Sequence, residues 1–350
     1  MKELKDIRRI LVIDLGGIGD LLLAQPALRA LRSRYRDAVI DMFVVDRCEE
    51  LVRPWGVCDH VFVCGRGLRQ LTAVLRALRR CRYDLVMNMR TMISVPGVIK
   101  MFALVTFIAG RITAGRDTDG RGFFLDIKVP ETGPGTKHEM EYDIDTAAAV
   151  NAPVFDRTIA LEPGNLEPGN DPVNTAARIL RESGVFQSDA LIGIHPGGKP
   201  SHQWPLERYR SLMDAIHAVF PCVFVITGDA HEKGLAVELC RGIRYPAVDM
   251  SGRLSISETA ALIRQCRLFI SNDTGAMHIA AIVKTPQVAF FGPGYLARFD
   301  PRVISQKAVV LYSKTACAPC NRVSCSSRAC LNAITVETAL DAALKLLGKK

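Results

Sequence analysis

Several loops of this sequence carry the residue types that hold anions and move protons. The fullest is Asn272-Asp273-Thr274-Gly275, set between the apolar run Leu268–Ser271 and a helical stretch with His278, ahead of a second apolar run, Gln287–Phe291. Strand, polar turn, helix and strand make a βαβ unit. At such a turn a helix presents unpaired N–H groups and the positive end of its dipole, which is a seat for phosphate. Thr274 and Gly275 let the backbone come close to a ligand, and Asp273 and His278 add side-chain contacts. A second loop runs from His195 to Pro205 and contains Gly197, Gly198, Lys199 and His202. Its closing proline suits the first turn of a helix. The loop reads either as an anion-holding segment or as an ordinary connection. In a third loop, Thr227 to Glu232, Gly228 precedes a glutamate at a helix start. There Glu232 either complements the helix dipole or holds a ribose diol.

The loop Gly16-Gly17-Ile18-Gly19-Asp20 near the N-terminus has the wrong glycine spacing for a dinucleotide fingerprint. No acidic residue clearly follows it as a ribose ligand, so a nicotinamide enzyme is disfavoured. Asp20 reads as a helix-capping carboxylate or as a general base that takes a proton from a substrate hydroxyl. Near the other end stand Cys317, Cys320, Cys325 and Cys330. A CxxC clip with two further thiols fits zinc or an iron–sulfur cluster, reversible disulfides, or free structural thiols. No second Cys-His clip of zinc-finger spacing accompanies them.

The elements that must position these loops alternate. Strand-like runs at Arg9–Asp14, Val39–Val45, His60–Val63 and Leu85–Met89 are separated by helical patterns, notably Leu21–Arg32 and Leu68–Arg80. The stretch LEPGNLEPGNDP, residues 161–172, cannot continue a helix or a central strand and reads as a linker. Beyond it the alternation restarts: helices Val173–Ser183, Leu206–Val219, Glu232–Arg241 and Ser257–Gln265, with strands Leu191–His195 and Cys222–Thr227. This predicts an α/β chain of two Rossmann-like, doubly wound domains, residues 1–160 and 173–334, facing across a cleft. A last helix within 335–350 is expected to pack back on the N-terminal domain.

Composition sets the outer limits. At 350 residues, two domains are expected, and 49% hydrophobic with 23% charged residues is ordinary for a globular chain. A net charge of +9 with pI ≈ 9.1 favours anionic partners. Arginines crowd the segment from Arg29 to Arg82, which reads first as a solvated face. The helix Leu68–Arg82 sets an apolar stripe beside arginines; the stripe is expected to face the core, with a membrane surface as the alternative. Ile93–Gly110 is apolar but interrupted by Pro96, Gly97 and Lys100, so a buried or interfacial helix is expected and not a span. The start MKELKDIRR-ILVIDLGG lacks the long apolar core of a signal peptide, and 11 scattered cysteines favour a reducing cytoplasm. A nucleic-acid role is disfavoured, because no aromatic stacking platform of a familiar type is present and the loops would have no task.

Taken together and in order, the motifs resemble those of the ADP-heptose:lipopolysaccharide heptosyltransferases, glycosyltransferase family nine. The matching residues are Gly19-Asp20 with Pro26 to Leu31, His195-Pro196-Gly197 with Trp204-Pro205, and Gly228 with Glu232. They continue with Ser251-Gly252 and Leu254-Ser255, and with Asn272 to Gly275, Met277-His278 and Phe291-Gly292-Pro293. The resemblance implies a GT-B fold and an inverting, metal-independent transfer that needs no cofactor beyond a nucleotide-sugar such as an ADP-sugar. It implies that Asp20 is the base, with Gly17 and Gly19 in the acceptor-side loop. Asp273, Thr274, Gly275 and His278 would hold diphosphate and sugar, Glu232 the ribose, and Leu254 and Ser255 would line the adenine, with Lys199, His202 and Gly228 also on the donor side. The implied acceptor is an anionic glycolipid of the lipopolysaccharide inner core, met from the cytoplasm at the inner-membrane face. A transferase for a different nucleotide-sugar, or a non-catalytic nucleotide-sugar binder of the same fold, would carry similar loops. One departure stands out: the family usually has Lys two residues before Trp204, and this chain has His202. Either a partly protonated His202 supplies the charge, or Lys199 replaces it, or the donor differs.

Overall fold

Runs such as Ile10–Ile13 and Ile270–Asn272 are buried along their whole length and do not alternate. That is the signature of strands covered on both faces, as in a parallel sheet packed between helices. The computed structural model describes residues 4–65, 67–133, 135–161, 171–186 and 190–349. The chain divides into two units, Met1–Ile159 and Ala160–Lys350. The expected linker falls largely on residues 162–170, which lie outside the described residues.

The first unit contains β1 (Arg9–Asp14), α1 (Ile18–Arg34), β2 (Val39–Val45), α2 (Glu49–Val52), β3 (His60–Cys64) and α3 (Leu68–Arg80). It continues with β4 (Leu85–Asn88), α4 (Val95–Ile108), β5 (Ile112–Thr118), β6 (Ile127–Glu131) and α5 (Glu139–Ala149). The sheet order is β3-β2-β1-β4-β5-β6, and every pairing is parallel. The second unit begins with α6 (Pro172–Glu182), β7 (Leu191–His195), α7 (Leu206–Val219), β8 (Val223–Ile226), α8 (Lys233–Cys240), β9 (Ala247–Asp249) and α9 (Ile256–Gln265). After these come β10 (Leu268–Asn272), α10 (Gly275–Ile282), β11 (Gln287–Phe291), α11 (Leu296–Phe299), β12 (Ala308–Tyr312), α12 (Ala329–Asn332) and α13 (Val336–Leu346). Its order, β12-β11-β10-β7-β8-β9, is again all parallel. Counted from each unit's own first strand, both sheets follow the doubly wound order 3-2-1-4-5-6.

Three differences from the sequence reading have physical causes. α1 starts at Ile18, ahead of the expected Leu21, because Gly17 takes the extended N-cap position. Asp20 is therefore the third residue of the helix and not its cap. β5, β6 and α5 were hidden in sequence because their buried faces carry charge: Arg116, Glu131, Glu139 and Asp143 are all buried. The last helix, α13, packs against α7 and β11 of the second unit. The core under that contact is aromatic. Trp204 stacks on Phe290 at 4.2 Å between ring centroids, meets Tyr209 edge-on, and donates its indole N–H to the Ile334 carbonyl at 3.0 Å.

Replacing Trp204 with Ala should remove about 3–5 kcal/mol of stability, measured as a fall in the urea midpoint with an unchanged slope. A loss under about 1 kcal/mol would mean that the second core does not rest on this ring.

Candidate active site

A doubly wound sheet opens a crevice at the carboxyl ends of its strands where the strand order reverses. In the first unit the reversal lies between β1 and β4. The loops leaving those strands carry Gly16–Asp20 and Arg90. Arg90 Nη1 lies 2.5 Å from Asp20 Oδ1, and the same guanidinium is 4.0 Å from Asp14 and 3.6 Å from Glu139. The other Asp20 oxygen accepts the Gly17 N–H at 2.8 Å. Asp20 thus closes its own helix start and pairs with an arginine, while its side chain keeps 17% of its surface open to solvent.

Behind this pair the charges continue inward. Arg116 donates to Glu139 at 2.9 Å, to Asp143 at 2.5 Å and to Thr91 at 2.9 Å, and Thr91 donates to Glu131. Burial acts against the Arg90 guanidinium, but Asp20, Asp14 and Glu139 outweigh it and hold its pKa above the ordinary value. Arg116 is raised in the same way, through Glu139 and Asp143. Burial pushes the Asp14 carboxyl up to about 6, against the pull of Arg90 and with the neighbouring Asp20 adding to the rise. Burial likewise raises Asp143, although Arg116 opposes it. Gly16 is required by space: a Cβ there would come within 2.7 Å of both Arg90 Nη1 and Asp20 Cβ.

In the second unit the reversal lies between β10 and β7. One buried side chain spans it. The Asn272 amide donates to the carbonyls of Pro196 and Gly197, each at 2.9 Å, and its oxygen accepts from the Trp204 N–H at 2.9 Å and the Tyr209 hydroxyl at 3.0 Å. Thr274 is the N-cap of α10, and its side chain makes no capping bond. Around this helix start stand Asp273, Gly275, the buried His278, and the loop from His195 to Pro205. Gly198 has φ +110°, and a Cβ there would strike the Thr274 methyl at 2.6 Å, so only glycine fits beside the turn. Gly294 is equally confined, since its Cβ would lie 2.2 Å from Asp273 Oδ2.

Glu232 joins two loops. Its carboxylate accepts the Gly198 N–H at 2.6 Å and the Asp229 N–H at 3.0 Å, with His195 Nε2 at 3.9 Å. Gly197 and Gly228 lie against it, and a Cβ at Gly197 would meet a carboxylate oxygen at 2.1 Å. His202 is buried, and its Nδ1 shares a hydrogen bond with the Ser201 hydroxyl at 3.0 Å. Burial, helped by Lys199, lowers its pKa to about 4. Protonation of His202 is therefore disfavoured, and Lys199 stands exposed in the same loop. Ser255 and Glu258 form a capping box at the start of α9, and Leu254 packs on the core beneath.

Cys317, Cys320, Cys325 and Cys330 lie on the segment that follows β12. Among the described residues no group of three or more His, Cys, Asp or Glu side chains could hold a metal. Cys330 is buried while Cys317 is exposed, and all four thiols are free. The segment braces the loops that carry Ser201 and Pro293. The Pro293 carbonyl accepts N–H groups from Cys320 and Asn321, and Ser201 is bonded to the carbonyls of Val323 and Arg322.

Sequence reasoning missed Asp14, Arg90 and Glu139 in the first unit and the bracing role of Asn272 in the second. Three of the four signals were present: Asp14, Arg90 and Asn272 all stand at or just beyond the carboxyl end of a strand beside a reversal.

Residues 71–330 match the sequence profile of glycosyltransferase family 9 (heptosyltransferase). The chain is 25% identical over 284 residues to lipopolysaccharide heptosyltransferase 3 of Escherichia coli, a match covering 78% of this chain and 80% of that protein. Among solved structures it resembles the E. coli ADP-heptose lps heptosyltransferase II, with a TM-score of 0.71, 21% identity, and 97% and 98% of the two chains covered. It also resembles E. coli heptosyltransferase WaaC with ADP, with a TM-score of 0.64, 18% identity, and 97% and 99% covered. The fold is α/β, of the GT-B class.

The buried Asp14 gives a pH test. An acid with a raised folded pKa binds its proton more tightly in the folded state. The resulting stability is fully present below its ordinary value of 3.8 and is lost as pH rises through about 6. Asp14→Asn removes this titration. Wild-type stability should fall relative to the variant across that window, by up to about 3 kcal/mol, as read from urea midpoints taken at a series of pH values. Parallel curves would show that Asp14 is not buried as described.

Proposed function

The chain belongs to glycosyltransferase family 9, the heptosyltransferase family, and from that membership we propose that it transfers heptose from an ADP-sugar to an anionic lipopolysaccharide inner-core acceptor with inversion. As a member of this family the protein is a glycosyltransferase. On the proposed reading Asp20 takes the proton of the acceptor hydroxyl. The hydroxyl oxygen forms a bond to the anomeric carbon as the bond from that carbon to the diphosphate oxygen breaks, and the nucleoside diphosphate leaves. Arg90 and the Gly17 N–H keep the Asp20 carboxylate in one orientation for this step.

Negative charge grows on the departing diphosphate. The start of α10 answers it with backbone N–H groups at Gly275 and Ala276, and Asp273, Thr274 and His278 complete the seat. Lys199 supplies the nearby side-chain cation, so the reading assigns no role to a metal ion or other cofactor. Glu232 and Gly228 would face the ribose, Leu254 and Ser255 the adenine, and Gly17 and Gly19 the acceptor. The observation that supports this reading is that each sheet's polar loops gather at its own strand-order reversal: Asp20 with Arg90 in the first unit, the α10 start with the loop after β7 in the second. The same reading puts the enzyme at the cytoplasmic face of the inner membrane. Among the described residues no helix is long and apolar enough to cross a membrane.

One observation favours a different donor within the same fold: the neutral His202 stands where the family usually has Lys. A panel of ADP-, GDP-, UDP- and dTDP-sugars in a thermal-shift assay decides it, with stabilisation expected from ADP compounds alone. Asp20→Asn should keep that shift while its kcat falls by about a hundredfold or more. Wild-type turnover by the variant would remove Asp20 from the base role, and no turnover by the wild type with any acceptor would favour a non-catalytic binder.

A further inference from the structure

The helix α4 has apolar side chains on every face. Val98, Met101, Val105 and Ile108 face the core, as four-residue and three-residue spacing requires. The opposite side is also apolar: Val95 is 67% exposed, Ile99 60% and Phe102 42%. Lys100 is the one charged residue in the helix. Phe123, 61% exposed, extends the patch from the loop after β5, with its ring 5.7 Å from that of Phe102. A surface helix that keeps apolar residues on its outer face needs a cover. At 14 residues α4 is about 21 Å long, too short to span a bilayer core of about 30 Å but suited to lie in its surface.

The far end of the same helix meets a concentration of positive charge. An open cavity of about 690 Å³ is lined by Arg76, Arg79, Arg80, Arg82 and Arg111, with Ile108 and Ala109 of the α4 end. Arg111 faces Asp84 at 3.4 Å, and Asp84 also accepts the Arg8 and Arg9 N–H groups. Arg79 donates to the Phe107 carbonyl, and its guanidinium lies 5.2 Å from the centre of the half-exposed Phe107 ring. Phe107 thereby joins the apolar face to the arginines. Arg76, Arg80 and Arg82 are exposed and have no ion pair among the described residues. This cavity lies at the amino edge of the sheet, away from Asp20, so the proposed sugar transfer does not account for it.

We propose that the outer face of α4, with Phe123, docks the protein on an anionic phospholipid bilayer, and that the arginine cavity at the end of α4 takes lipid phosphates. Apolar insertion alone holds a protein on a bilayer weakly, and basic charge alone does so without depth; the two together give stable attachment. The charge selects the occupant. A second copy of this chain would bring the same five arginines, whereas an anionic lipid surface brings the complement. The proposal deepens the glycolipid reading, because α4 begins just after Arg90, which holds Asp20, so a docked α4 presents the base beside the lipid surface.

The test uses the full chain with vesicles, without donor or acceptor, so its failure is separate from failure of the transfer reading. Wild type should co-sediment with vesicles of phosphatidylcholine mixed with phosphatidylglycerol, and weakly with phosphatidylcholine alone. Ile99→Ser with Phe102→Ser should weaken binding to the mixed vesicles by about a hundredfold. Arg76→Ala with Arg80→Ala should weaken it by roughly 25-fold, about fivefold per arginine, and reduce the preference for the anionic lipid by the same factor. Unchanged thermal midpoints in both variants establish that they fold. Wild type remaining in the supernatant with both lipids would overturn the proposal, as would variants that bind like wild type. So would sedimentation velocity showing a wild-type dimer that Ile99→Ser with Phe102→Ser converts to monomer, since the cover would then be a second copy.

Discussion

A parallel sheet wound in the order 3-2-1-4-5-6 parts its loops at one place, and each unit must close that gap without filling it. Each does so with one side chain reaching across. In the first unit Arg90, after β4, reaches Asp20 and Asp14, after and at the end of β1. In the second, Asn272 at the end of β10 reaches the Pro196 and Gly197 carbonyls after β7. The positions of the remaining site residues follow from these two spans. Asp20 is oriented by the first, and the Gly198 turn and the α10 start are brought together by the second.

The two spans differ in cost. Asn272 is neutral, and all its hydrogen-bonding capacity is met by the chain around it, so it can sit fully buried without a charge to desolvate. Leaving even one of its partners unsatisfied costs about 1–3 kcal/mol. Arg90 is charged and therefore needs carboxylates, and those carboxylates repel one another. The structure meets this by adding a second arginine: Arg116 takes up Glu139 and Asp143, leaving Arg90 for Asp20. Asp14 and Asp143 remain incompletely compensated, and burial raises the pKa of both against the pull of the arginines. A network of this kind is a weak source of net stability and a strong source of fixed geometry.

That contrast explains what could be read from the sequence. Largely apolar strands, such as Leu191–His195 and Gln287–Phe291, were legible to the residue, because burial on both faces favours a continuous apolar run. The segment from Ile112 to Ala149 was not, because its buried positions include Arg116, Glu131, Glu139 and Asp143 among apolar ones, and a single sequence read for hydrophobic periodicity treats such residues as solvent-facing. The site followed the same rule. Loop motifs singled out Asp20, Glu232 and Asp273 as candidates through their glycines and helix starts. Arg90 had no motif, since its role comes from a strand order that is visible only after folding. Ser255 was expected by resemblance to line the adenine, and its side chain forms a capping box with Glu258.

His202 shows how burial can move a charge between neighbours. Its ring is enclosed with Ser201, whose hydroxyl is bonded to the Arg322 carbonyl of the cysteine-rich segment. No carboxylate stands among the causes acting on it; burial and Lys199 both disfavour protonation. An ammonium enclosed at this point would meet the same two penalties. A neutral imidazole meets neither, and Lys199, three residues earlier, stays exposed and carries the charge into the same loop. The cysteine-rich segment is therefore tied to the surroundings of His202 through Ser201. Its backbone meets Ser201 and Pro293, while Lys199 keeps its charge at the surface, where an anion can be met without first desolvating the cation.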